Sequence, residues 1–173
     1  MLSLVIGSAA SGKSEFAERL ACAGEQPRIY LATMQPLDSE CRERIEKHRQ
    51  ARAGRGFETV ECYTGLSQLK LPKTGTVLLE CLSNLCANEL YSPQGAGQAA
   101  AQEILAGIQQ LCRQAAQVIV VSNEVFADGI AYPPQTQQYL RLLGQLNCAL
   151  AAQAERVVEV VYSIPVFQKG GPV

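Results

Sequence analysis

The sequence lacks several features that are typical of nucleic-acid-binding and membrane proteins. It has no tryptophan, a single histidine and a formal net charge of −1, so no overall field would attract nucleic acid or an anionic membrane surface. No apolar run approaches the roughly 20 residues that span a bilayer, and no internal repeat or low-complexity tail occurs. These absences predict a soluble, cytoplasmic protein with small-molecule chemistry, without a nucleic-acid partner and without a membrane span.

Cysteine is present but lacks the arrangements that make it structural. The seven cysteines are odd in number and never form a C-x-x-C pair. This pattern argues against a disulfide framework and against a zinc knuckle. We therefore expect free thiols, most of them small side chains in apolar surroundings.

What the chain does contain begins at its first glycine. Residues 7–14 spell G-x-x-x-x-G-K-S, after the apolar run Leu2 to Ile6 and before a helix-prone segment. Strand, glycine loop and helix is the order of a phosphate loop, whose backbone N–H groups bind phosphate oxygens. Lys13 is expected to reach the β- and γ-phosphates, and Ser14 to bind Mg²⁺. The predicted nucleotide-binding residues are Gly7, Ser8, Ala9, Ala10, Ser11, Gly12, Lys13 and Ser14.

Short apolar runs alternate with helical patterns along the chain, with the spacing of β-α-β units. Several runs are apolar without alternation, which is typical of strands buried on both faces of a parallel sheet. We predict a single α/β domain over residues 1–173, a mostly parallel sheet with helices on both faces, and a C-terminal edge strand within residues 163–169. The other predicted strands are Leu2–Ile6, Arg28–Ala32, Glu58–Cys62, Thr76–Glu80, Gln117–Ser122 and Arg156–Tyr162.

A highly charged helix is predicted over Cys41 to Arg49, with Asp38 as its N-cap. It carries few core positions, so we expect it to be solvated and free to move. His48, the only histidine, lies on this helix. A lone histidine in that setting usually has no function, and the spacing suggests no Asp or Ser partner. Two further helices are predicted, from about Gln98 to Arg113 and from about Gln135 to Gln153.

Polar residues close three predicted strands, where an open α/β sheet collects its ligands. Glu80 ends a fully apolar strand, and we expect its carboxylate to bind Mg²⁺. Asn123 and Glu124 close the fifth strand, where Glu124 could position a substrate hydroxyl or a metal-bound water. Alternatively, Asn123 turns the chain and Glu124 caps a helix. Thr33 follows the second strand at the same edge, where it either contacts the ligand or has only a structural role.

Several segments, spread over nearly the whole chain, together resemble one family, the bifunctional adenosylcobinamide kinase and adenosylcobinamide-phosphate guanylyltransferase of cobalamin biosynthesis. No single later segment is specific, but their order and spacing are. The segments are the phosphate loop with Ala17-Glu18, Tyr30-Leu31-Ala32-Thr33, Arg44-Ile45 with His48, Thr59-Val60-Glu61, Leu79-Glu80-Cys81-Leu82-Ser83 with Asn88, and Ser122-Asn123-Glu124-Val125.

The resemblance implies a RecA-like P-loop NTPase fold, a homotrimer, a corrinoid substrate, Mg²⁺, and GTP with ATP as an alternative for the kinase step. One implied reaction phosphorylates the aminopropanol hydroxyl of adenosylcobinamide, and the other transfers GMP from GTP to that phosphate. In the family the guanylyl group passes through a histidine phosphoramidate, and the matching position is His48. The resemblance also implies catalytic Lys13 and nucleotide-binding Thr33, Glu61 and Glu80.

The sequence departs from the family pattern at three places. Ala10 stands where the family commonly has arginine, Gly56-Phe57 replace a proline and a tryptophan, and residues 126–143 diverge. These departures favour guanylyl transfer over the kinase activity. Two alternatives stay open: another small-molecule kinase or NTPase on the same fold, with His48 as a bystander, and a GTP-binding regulatory module without turnover. The guanine-reading N-K-x-D pattern of signalling GTPases is missing.

Overall fold

The computed structural model describes residues 1–72, 74–126 and 129–171, so part of the divergent segment, residues 127 and 128, lies outside the described residues. The strands are β1 (Leu2–Gly7), β2 (Arg28–Ala32), β3 (Phe57–Glu61), β4 (Thr74–Leu79), β5 (Ala115–Asn123), β6 (Arg156–Val161) and β7 (Ile164–Lys169). The helices are α1 (Lys13–Ala23), α2 (Ser39–Ala51), α3 (Leu82–Tyr91), α4 (Ala100–Gln114) and α5 (Pro134–Gln153).

The seven strands form one sheet in the order β3-β2-β4-β5-β1-β6-β7. All neighbours pair in parallel except β6 and β7, which are antiparallel. In register, Gly7 at the end of β1 is opposite Asn123 at the end of β5. The phosphate loop, Thr33, Glu80 and Asn123 therefore follow strands that end at the same edge of the sheet, as predicted.

Apolar side chains cover both faces of the sheet, which explains why its strands are apolar without alternation. On one face, α3, α4 and α5 pack on the strands through a cluster that includes the fully buried Leu85, Ile104 and Leu143. On the other face, α1 contributes Ala17 and Leu20 to a second cluster. The predicted α/β architecture with helices on both faces is confirmed.

The strand β2 has the predicted bounds, and no end of the other strands differs from its prediction by more than two residues. The prediction that the sixth strand includes Tyr162 is wrong, because β6 ends at Val161 and the next two residues have positive φ, 48° at Tyr162 and 63° at Ser163. That pair of left-handed residues is the geometry of a tight two-residue hairpin turn. The predicted C-terminal edge strand is confirmed as β7, and Pro165 is tolerated there because it lies on the sheet edge.

The charged helix α2 begins as predicted, because the Asp38 carboxylate accepts a hydrogen bond of 2.7 Å from the Cys41 N–H. Most of its side chains are exposed, and an inward stripe consists of Cys41, Ile45, His48 and the C-cap residue Arg52. These positions share one face of a helix. Among the described residues, no helix is long and apolar enough to cross a membrane.

Candidate functional site

The phosphate loop joins β1 to α1 through two left-handed residues, Ala10 with φ 56° and Gly12 with φ 89°. The left-handed backbone at Gly12 directs the chain into α1, whose first residue is Lys13. The Lys13 ammonium donates a hydrogen bond of 3.0 Å to the Ser8 carbonyl, so the side chain lies across the loop. Burial lowers the pKa of Lys13. The predicted loop residues are therefore assembled as one structure around the N-terminus of α1.

The tip of the β6–β7 hairpin contacts the phosphate loop from the outer side. The Ser163 N–H donates a hydrogen bond of 2.8 Å to the Ser11 carbonyl. Gly12 has a left-handed φ, and a Cβ placed on it would lie 2.6 Å from Ser163 Oγ and 3.1 Å from Ser163 Cα, so glycine is favoured at this contact. Sequence reasoning missed this contact, since nothing local to residues 156–169 indicates which loop the hairpin tip approaches.

Glu80 and Ser14 lie on the same small cavity of about 10 Å³, which is also lined by Glu18 and Tyr30. The Glu80 carboxylate accepts a long hydrogen bond of 3.4 Å from the Thr33 N–H. Hydroxyl and carboxylate oxygens are the ligands that Mg²⁺ takes from proteins, alongside water and substrate phosphates. Within the described residues no group of three or more His, Cys, Asp or Glu could hold a metal by itself. The arrangement thus fits a Mg²⁺ ion that relies on phosphate for part of its coordination.

A larger pocket of about 220 Å³ adjoins this cavity, and Glu80 and Tyr30 line both spaces. His48 lines the pocket from α2. Glu61, at the end of β3, also lines it, and its carboxylate accepts a hydrogen bond of 3.0 Å from the Tyr63 hydroxyl. The pocket has aromatic and apolar walls with a few acidic and basic groups. Its lining residues are Tyr30, Ala32, Met34, Pro36, Ile45, His48, Arg49, Arg52, Thr59, Glu61, Tyr63 and Glu80.

The structure brings most of the predicted site residues to one edge but gives some of them structural contacts. Thr33 is fully buried, and its hydroxyl donates to the Cys81 carbonyl at 2.8 Å. Glu124 accepts the Phe126 N–H at 3.2 Å, a local contact in the loop after β5 and not the helix cap kept as its alternative. The Asn123 amide donates to Ser83 Oγ at 2.5 Å. Direct substrate contact by these three residues stays a prediction.

Two features carried no functional interpretation at the level of sequence, one in the pocket and one at the residue that follows Glu80 in the chain. The guanidinium of Arg52 is buried, with its Cζ atom 3.2 Å from the centre of the Tyr30 ring. Cys81, the N-cap of α3, contacts the hydroxyl of Ser83 at 2.9 Å. Tyr30 and Cys81 lie in segments that carry the family resemblance, so their position in the motifs was the available signal.

A pocket of about 680 Å³ lies at the opposite edge of the sheet, beside Gln26, Pro27 and Arg113. It is larger than the His48 pocket. It contains neither the phosphate loop nor any residue of the strand ends that face the loop. In an open parallel sheet, ligands bind outside the carboxyl ends of the strands. We therefore assign the functional site to the smaller pocket.

The sheet topology, the phosphate loop and the carboxylate opposite Ser14 define a P-loop nucleotide-binding protein. The model of the cobinamide kinase / cobinamide phosphate guanyltransferase family matches residues 3–167. The chain belongs to this family, and it is a bifunctional enzyme, a kinase and nucleotidyltransferase of cobalamin biosynthesis.

Curated relatives match over almost their whole length. The bifunctional adenosylcobalamin biosynthesis protein CobU of Escherichia coli (strain K12) is 37% identical over 183 residues, which cover 96% of this chain and 98% of that protein. CobU of Salmonella typhimurium (strain LT2) is 34% identical over 184 residues with the same coverage, 96% and 98%. The corresponding protein CobP of Pseudomonas aeruginosa is 30% identical over 174 residues, with 99% of each chain covered.

Proposed function

We propose that this enzyme transfers a guanylyl group from GTP to its own His48 and then to the phosphate of adenosylcobinamide phosphate. In the first step a ring nitrogen of His48 attacks the α-phosphorus of GTP. The bond from that phosphorus to the bridging oxygen breaks, pyrophosphate leaves, and the imidazole N–H proton is lost. In the second step a phosphate oxygen of the corrinoid attacks the same phosphorus and releases His48. The product is the GDP ester of adenosylcobinamide.

One observation carries this proposal: His48 shares its pocket with Glu80, and Glu80 shares a cavity with Ser14 of the phosphate loop. A triphosphate whose β- and γ-phosphates lie in the loop can therefore direct its α-phosphate toward α2. Lys13 and the loop N–H groups would stabilise the negative charge that develops on pyrophosphate. Glu61 provides a hydrogen-bond acceptor in the part of the pocket where the nucleoside would lie.

The resemblance implies Mg²⁺, and the donor set formed by the Ser14 hydroxyl and the Glu80 carboxylate fits it. When bound, the cation neutralises phosphate charge and lowers the barrier to departure of pyrophosphate. Ser14 is held by the first turn of α1, and Glu80 is oriented by the N–H of Thr33. These fixed positions orient the phosphates for in-line attack, which is the protein's main contribution to phosphoryl chemistry.

We assign the kinase step to the same phosphate loop. Phosphoryl transfer requires positioning and charge stabilisation rather than covalent help from the protein, and Lys13 with the loop N–H groups provides both. The corrinoid hydroxyl would approach along the strand edge where Asn123 ends β5 and Glu124 follows it. Because GTP and ATP present the same triphosphate to the loop, the loop accommodates either nucleotide.

We further propose that the enzyme acts as a homotrimer in the cytoplasm. The family resemblance supports the trimer, and the β6–β7 hairpin offers exposed apolar side chains that subunit contacts could cover, including Tyr162 at 90% exposure and Ile164 at 64%. Light scattering of the purified protein tests this state. A monomer at working concentrations would contradict it.

The decisive experiment is incubation with Mg²⁺ and GTP labelled at the α-phosphate. We expect a base-stable, acid-labile label on the wild-type protein and on Lys47→Ala, an exposed position of the same helix. We expect no label on His48→Ala. Absence of label on a folded wild-type protein that binds GTP would contradict the mechanism and favour a kinase or NTPase without a histidine intermediate.

A second measurement separates the enzyme from a GTP-binding regulatory module. Adenosylcobinamide phosphate is the acceptor, so it should accelerate the steady-state release of pyrophosphate from GTP by removing the guanylyl group from His48. Inorganic phosphate serves as the control acceptor. A rate that does not respond to the corrinoid phosphate would exclude guanylyl transfer as the turnover reaction.

A further inference from the structure

Two buried residues in the segments that carry the family resemblance have no part in the proposed chemistry. Glu18 lies on α1, one helical turn after Ser14, and is 5% exposed. Tyr30 lies in β2 and is 3% exposed. Because buried carboxylates and phenols are costly without partners, their contacts indicate what they do.

Both residues contact arginines from the C-terminal end of α2 and the turn that follows it. The Arg52 guanidinium lies over the Tyr30 ring at 3.2 Å and is only 7% exposed. The Glu18 carboxylate accepts a hydrogen bond of 3.1 Å from Arg55 Nη1. Burial raises the pKa of Glu18, and the positive charges of Arg52 and Arg55 oppose that rise. The Glu18 carboxylate and the Tyr30 ring thus bind the two arginine side chains of this segment. We call the four residues Glu18, Tyr30, Arg52 and Arg55 the arginine clamp.

The clamp is connected directly to the proposed nucleophile. The Arg52 N–H donates to the His48 carbonyl at 3.2 Å, so the two residues are one helical turn apart. They share the inward stripe of α2, while most other side chains of the helix are exposed. A helix with so few inward residues is positioned mainly by its ends. At the N-terminal end the described contact is the local Asp38 cap, whereas the C-terminal end contacts α1 and β2 through the clamp.

Tyr30 also connects the clamp to the phosphate side of the site. It lines the pocket of His48 and the cavity of Ser14 and Glu80. Displacement of Arg52 from its ring would therefore alter the distance between α2 and the phosphate loop. An attack on phosphorus tolerates little such change, because the attacking nitrogen must lie near 3 Å and in line.

We propose that Glu18 and Tyr30 are positioning residues for His48: by holding Arg52 and Arg55 they fix the end of α2, and so keep the imidazole in line with the α-phosphate. The inference rests on the proposed guanylylation of His48. It assigns these residues an action on His48 through α2, in addition to their place on the walls of the site, and the kinase step does not use the nucleophile helix.

The test is single-turnover guanylylation at saturating GTP, compared with kinase turnover in the same preparations. Tyr30→Leu removes the ring face and should slow labelling of His48 about 10- to 100-fold. Kinase turnover should fall by a smaller factor, because Tyr30 also lines the cavity of Ser14 and Glu80. Tyr30→Phe keeps the ring face and loses only the hydroxyl beside Glu80, so its labelling should slow less than that of Tyr30→Leu. Arg42→Met, on the exposed face of α2, is the control for Arg52→Met.

A double-mutant cycle then separates positioning from direct substrate contact. If Arg52 acts through Tyr30, the combined variant Tyr30→Leu/Arg52→Met labels no more slowly than the worse single variant. Additive losses would overturn the proposal, as would equal losses in labelling and kinase turnover. Should Tyr30→Leu fail to fold, Arg52→Lys carries the same test, because lysine keeps the charge without the planar stack.

The outcomes also distinguish this inference from the proposed function. If the wild-type protein takes up no label, the histidine mechanism fails before the clamp is tested. A different result refutes only the clamp proposal. In that case the wild-type protein is labelled, and the variants Tyr30→Leu and Arg52→Lys fold and are labelled as fast as wild type, so the histidine mechanism stands.

Discussion

Replacing Gly12 by alanine tests the contact between the phosphate loop and the β6–β7 hairpin. Gly12 has φ 89°, and its added Cβ would lie 2.6 Å from Ser163 Oγ and 3.1 Å from Ser163 Cα. A left-handed alanine costs about 1–2 kcal/mol, and forcing a methyl group into a packed contact costs about 1–3 kcal/mol more. We therefore expect Gly12→Ala to lower the free energy of unfolding by about 2–5 kcal/mol.

Gly54 offers a matched control for the backbone part of this cost. Its φ is 75°, and nothing lies within 4 Å of an added Cβ. Gly54→Ala should therefore lower the free energy of unfolding by only about 1–2 kcal/mol. The difference between the two variants isolates the contact with the hairpin tip.

Urea denaturation followed by circular dichroism measures both variants on one scale. Thermal unfolding should agree, at about 2–4 °C per kcal/mol for a chain of this size. Ser163→Ala in the Gly12→Ala background removes Ser163 Oγ without a glycine at the left-handed position 163, and should restore part of the loss. Equal destabilisation by Gly12→Ala and Gly54→Ala, with no recovery in the double variant, would refute the hairpin contact.

Two further predictions concern buried carboxylates. Glu89 is 1% exposed and accepts hydrogen bonds from the N–H groups of Gly65 at 2.7 Å and Ala96 at 2.8 Å. Glu89→Ala should therefore lower the free energy of unfolding, measured by urea denaturation, by about 2–5 kcal/mol. A loss below about 1 kcal/mol would contradict this reading. Burial raises the pKa of Glu18, so the native state holds its proton to higher pH than the unfolded chain. The stability of wild type relative to Glu18→Gln should then fall as the pH rises from below the ordinary glutamate range through the raised pKa; a flat or rising difference would be the contrary result.

The sequence contained enough to predict the phosphate loop, the architecture and the edge at which the site lies. The loop is a local motif, and strands such as Val118 to Val121 are apolar on both faces, so each signal needed only neighbouring residues. Glu80 could be placed opposite Ser14 because parallel strands end at one edge. The family resemblance supplied the candidate role of His48.

The remaining features depend on residues far apart in the chain. His48 was predicted on a solvated helix, because the inward stripe of α2 includes two charged or polar members that do not register as a hydrophobic face. Arg52 is buried because its guanidinium packs on Tyr30, which lies in another element, β2. The hairpin contact at Gly12 likewise depends on where Ser163 comes to lie in the folded chain. Tertiary contacts of this kind leave no periodic signal.

Peptide mapping by mass spectrometry after a brief incubation with GTP and Mg²⁺ shows whether His48 carries the guanylyl group. We predict one guanylyl group, on the peptide that contains His48, and its loss when adenosylcobinamide phosphate is added. A guanylyl group on any other residue, or turnover of GTP to the corrinoid product with His48 never modified, would refute the histidine mechanism.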